Sequence, residues 1–271
     1  MKRNWQLPCL AVMAAACAAT PAWAQKDATP ATPATPASNA TSDTPAVEPS
    51  AIHAIELMAQ KLRTLKSFTV TADVTNEDVL DSGQKVTYGG IVTYKVRSPD
   101  RFFASVDSDR KQRSFYYDGS KFTVYAPRMH YYAQRPLANT TVAQLVSTAQ
   151  EKYDIDMPLA DLFYWGTDKA PTSTIQSATV IGPARVGKIE CDHLLMRQSG
   201  VDWQVWISRQ TMLPAKLVIA NLDDPTQPEY SATLQWDTES SLADSIFTFS
   251  PTSADHLIKI SDDAQTKEAS P

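Results

Sequence analysis

The chain reads as an α+β protein that is mostly β, built on a curved antiparallel sheet of about ten or eleven strands with three helices. Three observations predict it. The spacing of apolar residues changes from about 3.6 to 2 at Ser67 and keeps the shorter period through most of the remaining chain. The alternating runs are short and separated by turn residues, which joins neighbours as hairpins rather than through crossover helices. A stretch of helical spacing between residues 140 and 165 divides the strands into two groups.

The amino terminus comes first. Lys2 and Arg3 precede an apolar stretch from Leu7 to Ala19, and Ala22-Trp23-Ala24 stands before Gln25. That order is what a signal peptidase reads, so residues 1–24 are expected to be a signal peptide cleaved after Ala24, with a periplasmic mature chain. The apolar stretch is about a dozen residues, too short for a permanent membrane span. The rival is a lipoprotein anchored at Cys17, because Ala14-Ala15-Ala16-Cys17 loosely resembles a lipobox. It lacks a leucine at Ala14 and leaves Ala22-Trp23-Ala24 unused. Residues 25–49 are rich in Ala, Thr, Pro and Ser, with three Ala-Thr-Pro triplets between Ala28 and Pro36. Proline at that density keeps a chain extended and solvated, and this segment is expected to be a disordered linker.

Residues 50–260 are then expected to form a single domain. Pro49 and Ser50 supply a start and a cap for a first helix, whose Ile52, Ile55, Met58, Ala59, Leu62 and Leu65 share one face. Phe68, Val70, Ala72 and Val74 then alternate with threonine and aspartate. Val86 to Val96 repeats the pattern through Gly89-Gly90, the bend a curving sheet needs. Phe102 to Val106, Ser114 to Tyr117, Phe122 to Tyr125 and Met129 to Ala133 complete a six-stranded meander. Thr140 to Lys152 and Pro158 to Trp165 read as two more helices. Strands resume at Ala178–Ile181, Glu190–Met196, Asp202–Ser208, Lys216–Ala220, Tyr230–Trp236 and Phe247–Phe249. Residues 261–271 read as a flexible tail.

Composition narrows the function. Loss of residues 1–24 removes Cys9 and Cys17 and leaves Cys191 as the lone thiol, so no internal disulfide is expected. Loss of Lys2 and Arg3 takes the formal charge from −5 to −7. An acidic chain is a poor partner for nucleic acid, and no later apolar run is long enough for a transmembrane segment. Phosphate loops, dinucleotide fingerprints and Gly-x-Ser-x-Gly elbows are missing, and His53, His130, His193 and His256 are too scattered for a helical metal pair. No cofactor, metal or catalytic residue is therefore expected. Cys191-Asp192-His193 is the one tight trio of nucleophile, acid and base, but strand alternation turns Asp192 away from the other two. The aromatic residues stand out instead. Phe115, Tyr116, Tyr117, Phe122, Tyr125, Tyr131 and Tyr132 lie close together, and Trp203, Trp206 and Trp236 fall on later strands.

Six segments carry a resemblance. They are Ser98-Pro99-Asp100-Arg101, Phe115-Tyr116-Tyr117-Asp118-Gly119 and Met157-Pro158-Leu159-Ala160-Asp161-Leu162-Phe163-Tyr164-Trp165. Cys191-Asp192-His193-Leu194, Gly200-Val201-Asp202-Trp203-Gln204-Val205-Trp206-Ile207 and Leu213-Pro214-Ala215-Lys216-Leu217-Val218-Ile219 come after them in the same order. Across roughly residues 50–250 the chain is similar to the predicted bacterial periplasmic proteins of domain-of-unknown-function family 2092. That family is placed near the lipoprotein carriers and receptors of the LolA and LolB kind. The resemblance implies an antiparallel half-barrel whose concave face is closed by helices.

A binding protein is the expected outcome. The first reading is a non-enzymatic periplasmic carrier for a lipid, an acyl chain (lipoprotein acyl chains among them) or another apolar ligand held between sheet and helices. Strand parity and the family fold name Phe68, Val70, Tyr117, Leu162, Trp203 and Trp236 as its cavity lining. The alternative is a structural or interaction module of the cell envelope with a filled core, meeting a protein partner through a sheet edge or the face of Tyr116, Tyr132 and Trp206.

Overall fold

A computed structural model describes residues 46–155, 157–167 and 170–259. The expected signal peptide, most of the linker and the tail lie outside the described residues. Helix α1 (Pro49–Thr64) comes first, and six strands succeed it as one meander: β1 (Ser67–Val79), β2 (Lys85–Arg97), β3 (Arg101–Ser108), β4 (Gln112–Tyr117), β5 (Lys121–Ala126) and β6 (Tyr131–Pro136). After helix α2 (Val142–Tyr153), a second meander contains β7 (Ser177–Val186), β8 (Ile189–Gln198), β9 (Val201–Ser208), β10 (Pro214–Asn221) and β11 (Glu229–Asp237). A short β12 (His256–Leu257) closes the described chain.

All twelve strands form one open, curved sheet in the order β12-β6-β5-β4-β3-β2-β1-β11-β10-β9-β8-β7. The first strand pairs with the last long one, Val70 opposite Trp236 and Val74 opposite Ala232, and this single antiparallel seam merges the two meanders. Every pair is antiparallel except β12 with β6. The alternation read in the sequence is the burial pattern observed: Phe68, Val70, Ala72 and Val74 are buried on one face of β1. At Gly90 a Cβ would lie 2.7 Å from that of Ser108, so glycine here permits a close approach of β2 and β3.

The helices cover the apolar face of the sheet. α2 and residues 157–163 pack over β1–β5 and β11 around Tyr94, Phe102, Tyr117 and Phe122, while α1 and Trp165 pack over β8 and β9 around Leu194, Met196, Trp203 and Val205. Leu65, Leu217 and Trp236 border both clusters. α2 begins with a capping box in which the Thr141 hydroxyl accepts from the Gln144 N–H and the Gln144 side chain accepts from the Thr141 N–H.

Four expectations change. Ser50 does not cap α1: Glu48 holds the N-cap position with Pro49 in the first turn. The Glu48 carboxylate instead accepts the Val180 N–H at 3.0 Å, its own N–H donates to the Ala178 carbonyl at 2.8 Å, and Val47 bridges Ala178. Residues 46–49, assigned to the linker by composition, are thus stitched to the edge of β7. The helix expected over Pro158–Trp165 is one 3-10 turn, Ala160–Phe163. Leu159 and Gly166 hold φ of 60° and 76° on either side of it, outside the range of a right-handed helix, and Ala160, Leu162, Phe163 and Trp165 are buried while Asp161 is exposed.

At the carboxyl end, Phe247–Phe249 forms no strand. Residues 244–259 run as a strap over the outer face of the first meander. Phe249 packs against Tyr116, Tyr125 and Tyr132 with ring centroids 5.4, 4.8 and 5.0 Å away, and Arg97 stacks over Phe247. The strap ends as β12, which covers the exposed edge of β6.

Candidate functional site

The inward rows of side chains pack tightly along most of the sheet and give out near one end of the long central strands. There, Asn76 follows Val74 on β1, Tyr88 and Gly89 precede Val92 on β2, and Ser108 follows Val106 on β3. Ile219 and Tyr230 continue the wall onto β10 and β11. Facing them are Gln150 from α2 and the segment Met157–Asp161. Between these walls lies an open cleft of about 670 Å³. Val74, Val92, Val106 and Ile219 make its floor apolar, Met157 and Leu159 face them from the opposite wall, and Arg110 and Lys111 from the β3–β4 turn also line it. That volume is in the range of small-molecule sites.

The helical wall is held at several points. The buried Tyr94 hydroxyl donates to the Pro158 carbonyl, and the Tyr164 hydroxyl to the Gln150 side chain. Arg63 of α1 donates to the carbonyls of Leu162 at 2.9 Å and Phe163 at 3.2 Å. At the mouth, Arg110 pairs with Asp78 and lies 5.0 Å from the ring centre of Tyr88. Asp161 borders both the cleft and a void of about 20 Å³ behind it, among Met58, Leu162, Trp203 and Leu217. Desolvation pushes its carboxyl above the usual range, opposed only by a hydrogen bond from its own backbone N–H.

The six residues named from the sequence fall in different places. Val70 and Tyr117 are fully buried in packed core, and the Tyr117 hydroxyl donates to the Thr140 carbonyl at 3.1 Å. Phe68, Leu162 and Trp236 border a smaller cleft of about 210 Å³ beside Arg63 and Val96. Phe68 and Trp236 meet there with ring centres 5.5 Å apart and planes tilted by 45°, and the Trp236 indole donates to the Pro214 carbonyl. Trp203 faces the 20 Å³ void beside Trp165, its indole N–H bonded to Gln198. Among the described cavities, none of the six lines the large cleft. Val74, Val92 and Val106 share the strand faces of the core residues around them, and Met157 to Asp161 open the longest resemblance segment. Both signals were in the sequence, but the position where packing stops was not.

The outer-face aromatics are engaged. Tyr116 and Tyr132 lie under Phe249 of the strap. Trp206 is sandwiched by His193, stacked at 4.0 Å, and by Lys216, 5.0 Å from the ring centre. His193 also bonds Gln204 at 2.9 Å, and Asp192 holds Arg209, so neither is turned toward Cys191. Burial pushes the Cys191 thiol up, away from the reactive thiolate. Among the described residues no group of three or more His, Cys, Asp or Glu side chains could hold a metal, and no helix is long and apolar enough to cross a membrane.

No curated protein matches the chain. Solved structures match it loosely. Lipoprotein LppX of Mycobacterium tuberculosis shares 13% identity at a TM-score of 0.43, over 72% of this chain and 100% of that one. A LolA superfamily protein of Nitrosomonas europaea shares 9% at 0.30, over 73% and 97%. MucB shares 13% at 0.36, over 75% of this chain but 64% of MucB, so the chain spans less than two thirds of that relative. Scores this low leave function to the geometry of the chain itself. Residues 51–261 match the model of the family described as "Predicted periplasmic protein (DUF2092)", and the chain belongs to that family.

Proposed function

We propose that this is a periplasmic, non-enzymatic binding protein that carries a lipid, an acyl chain or a similar apolar molecule in the cleft between the end of the sheet and residues 157–161. The observation that carries this reading is the 670 Å³ cleft with its apolar floor, placed where the packed interior ends. Each acyl methylene buried there is worth about 0.8 kcal/mol, so a chain of about ten methylenes could bind without any shape-specific polar contact. The smaller cleft of Phe68, Leu162 and Trp236 is read as a secondary pocket, and Val70, Tyr117 and Trp203 as buried core. A non-enzymatic role is supported by the restrained Cys191, Asp192 and His193. In this reading the mature chain begins after Ala24.

Half-buried Ile219 on the floor gives the direct test. The protein should bind an apolar fluorescent probe at one molecule per monomer, and Ile219→Glu should lower that affinity at least tenfold with an unchanged circular dichroism spectrum. Unaltered probe binding by a folded Ile219→Glu protein would move the site elsewhere.

A further inference from the structure

Resting on the cleft reading above, we propose that the cleft takes one unbranched hydrocarbon chain laid along β11, and that Leu159 is the stop that sets the length of chain accepted. The inward row of β11 passes three spaces in turn: Tyr230 lines the large cleft, Leu234 the 20 Å³ void, and Trp236 the 210 Å³ cleft. These residues share one strand face, and at about 3.3 Å per residue the row covers roughly 20 Å. β10 keeps the same order, with Ile219 at the large cleft and Leu217 at the void. So does the opposite wall. Met157 and Pro158 face the large cleft, Leu159 and Asp161 both that cleft and the void, and Leu162 both the void and the smaller cleft. Two walls that step together past three spaces bound one interrupted channel, and a linear chain is the apolar shape that follows it.

Leu159 is the first interruption. Of the two residues common to the large cleft and the void, Asp161 is exposed, whereas Leu159 is only 6% exposed and fills the interior between them. Beyond it, Met58, Trp165, Trp203, Val205, Leu217 and Leu234 surround the void. Such a lining offers water few partners and a methylene many contacts. The backbone of Leu159 is left-handed, with φ 60° and ψ 24°, a conformation that glycine adopts freely and leucine does not. Its carbonyl accepts the Leu162 N–H at 3.1 Å, a bond that glycine would also make. What leucine adds at this position is therefore its isobutyl group, placed at the end of the cleft. Leu162, at 9% exposure, stands in the same way between the void and the smaller cleft.

The experiment uses the full chain loaded with an apolar fluorescent probe and titrated at neutral pH with saturated carboxylates, from octanoate to octadecanoate. The series keeps one head group and varies only the chain. In the wild-type protein, displacing potency should rise about fourfold for each methylene buried and then stop rising at one chain length. Leu159→Gly removes the isobutyl group and suits the left-handed backbone, so the length at which potency stops rising should increase by about two carbons or more. Leu159→Ala gives the same reading should the glycine variant fold poorly. A potency that rises unbroken to octadecanoate in the wild-type protein, or a stop that stays in place in both variants, would overturn the inference while leaving the cleft reading intact. Failure of the wild-type protein to take up the probe would overturn both.

Discussion

The hydroxyl of Tyr94, buried on β2, donates to the carbonyl of Pro158 and so ties the wall of the cleft to a strand that also carries its floor residue Val92. Both sides of the cleft thereby inherit the rigidity of the sheet. Tyr94→Phe removes the donor and leaves a carbonyl to find water at the cleft. It should cost about 1 kcal/mol of stability and speed release of a bound probe. Chemical denaturation and stopped-flow release measure the two effects; an unchanged release rate would show that this tether does not hold the wall.

A second tether runs from α1. Arg63 reaches two carbonyls of the segment that carries Asp161, and Gly166 leaves it room, since a Cβ there would lie 2.9 Å from the Arg63 Cγ. Arg63→Met keeps much of the aliphatic contact and loses both hydrogen bonds. The expected loss is about 1–2 kcal/mol, or roughly 2–8 °C in Tm, read by thermal unfolding.

Asp161 should make the protein more stable in mild acid than its other carboxylates would suggest. Its pKa is raised in the folded state, so folding favours proton uptake, and the ionised group opposes folding at neutral pH. Asp161→Asn is therefore expected to raise Tm at pH 7. The difference should shrink as pH falls through the raised folded-state value toward the ordinary 3.8. A variant less stable than wild type at pH 7 would contradict that sign.

Asp255 has the opposite sign. It accepts from the backbone and hydroxyl of Thr252 and from the Tyr125 hydroxyl, which hold its pKa at about 2. Its contribution to the strap is present above the unfolded value near 3.8 and is lost as pH falls toward about 2. Limited proteolysis should cut residues 244–259 faster in that acid window, and in Asp255→Ala at neutral pH, while the sheet stays protected.

Much of the fold was legible because period-2 alternation is a local signal. Val201, Trp203, Val205 and Ile207 alternate in sequence as they do in space, and Ser67 marks the change from helix to strand. The strap was not legible. Phe247 and Phe249 look like a strand face, but one is buried beside Arg97 and the other lies among three tyrosines, contacts set by chain return and not by periodicity. The cleft was half legible. Parity puts Phe68 and Val74 on the same face, yet it says nothing about where α2 and residues 157–161 stop covering that face, and there the space opens. Asp161 went unnoticed because one carboxylate in an apolar segment stands out only once its surroundings are in place.

Lipid analysis of the protein purified from the periplasm without detergent tests the central claim most directly. Native mass spectrometry and organic extraction on the same sample should show an added mass that matches an extracted amphiphile and disappears in Ile219→Glu. A bare protein mass, together with no uptake of added acyl probes, would mean that the cleft holds only water, and would contradict the carrier reading.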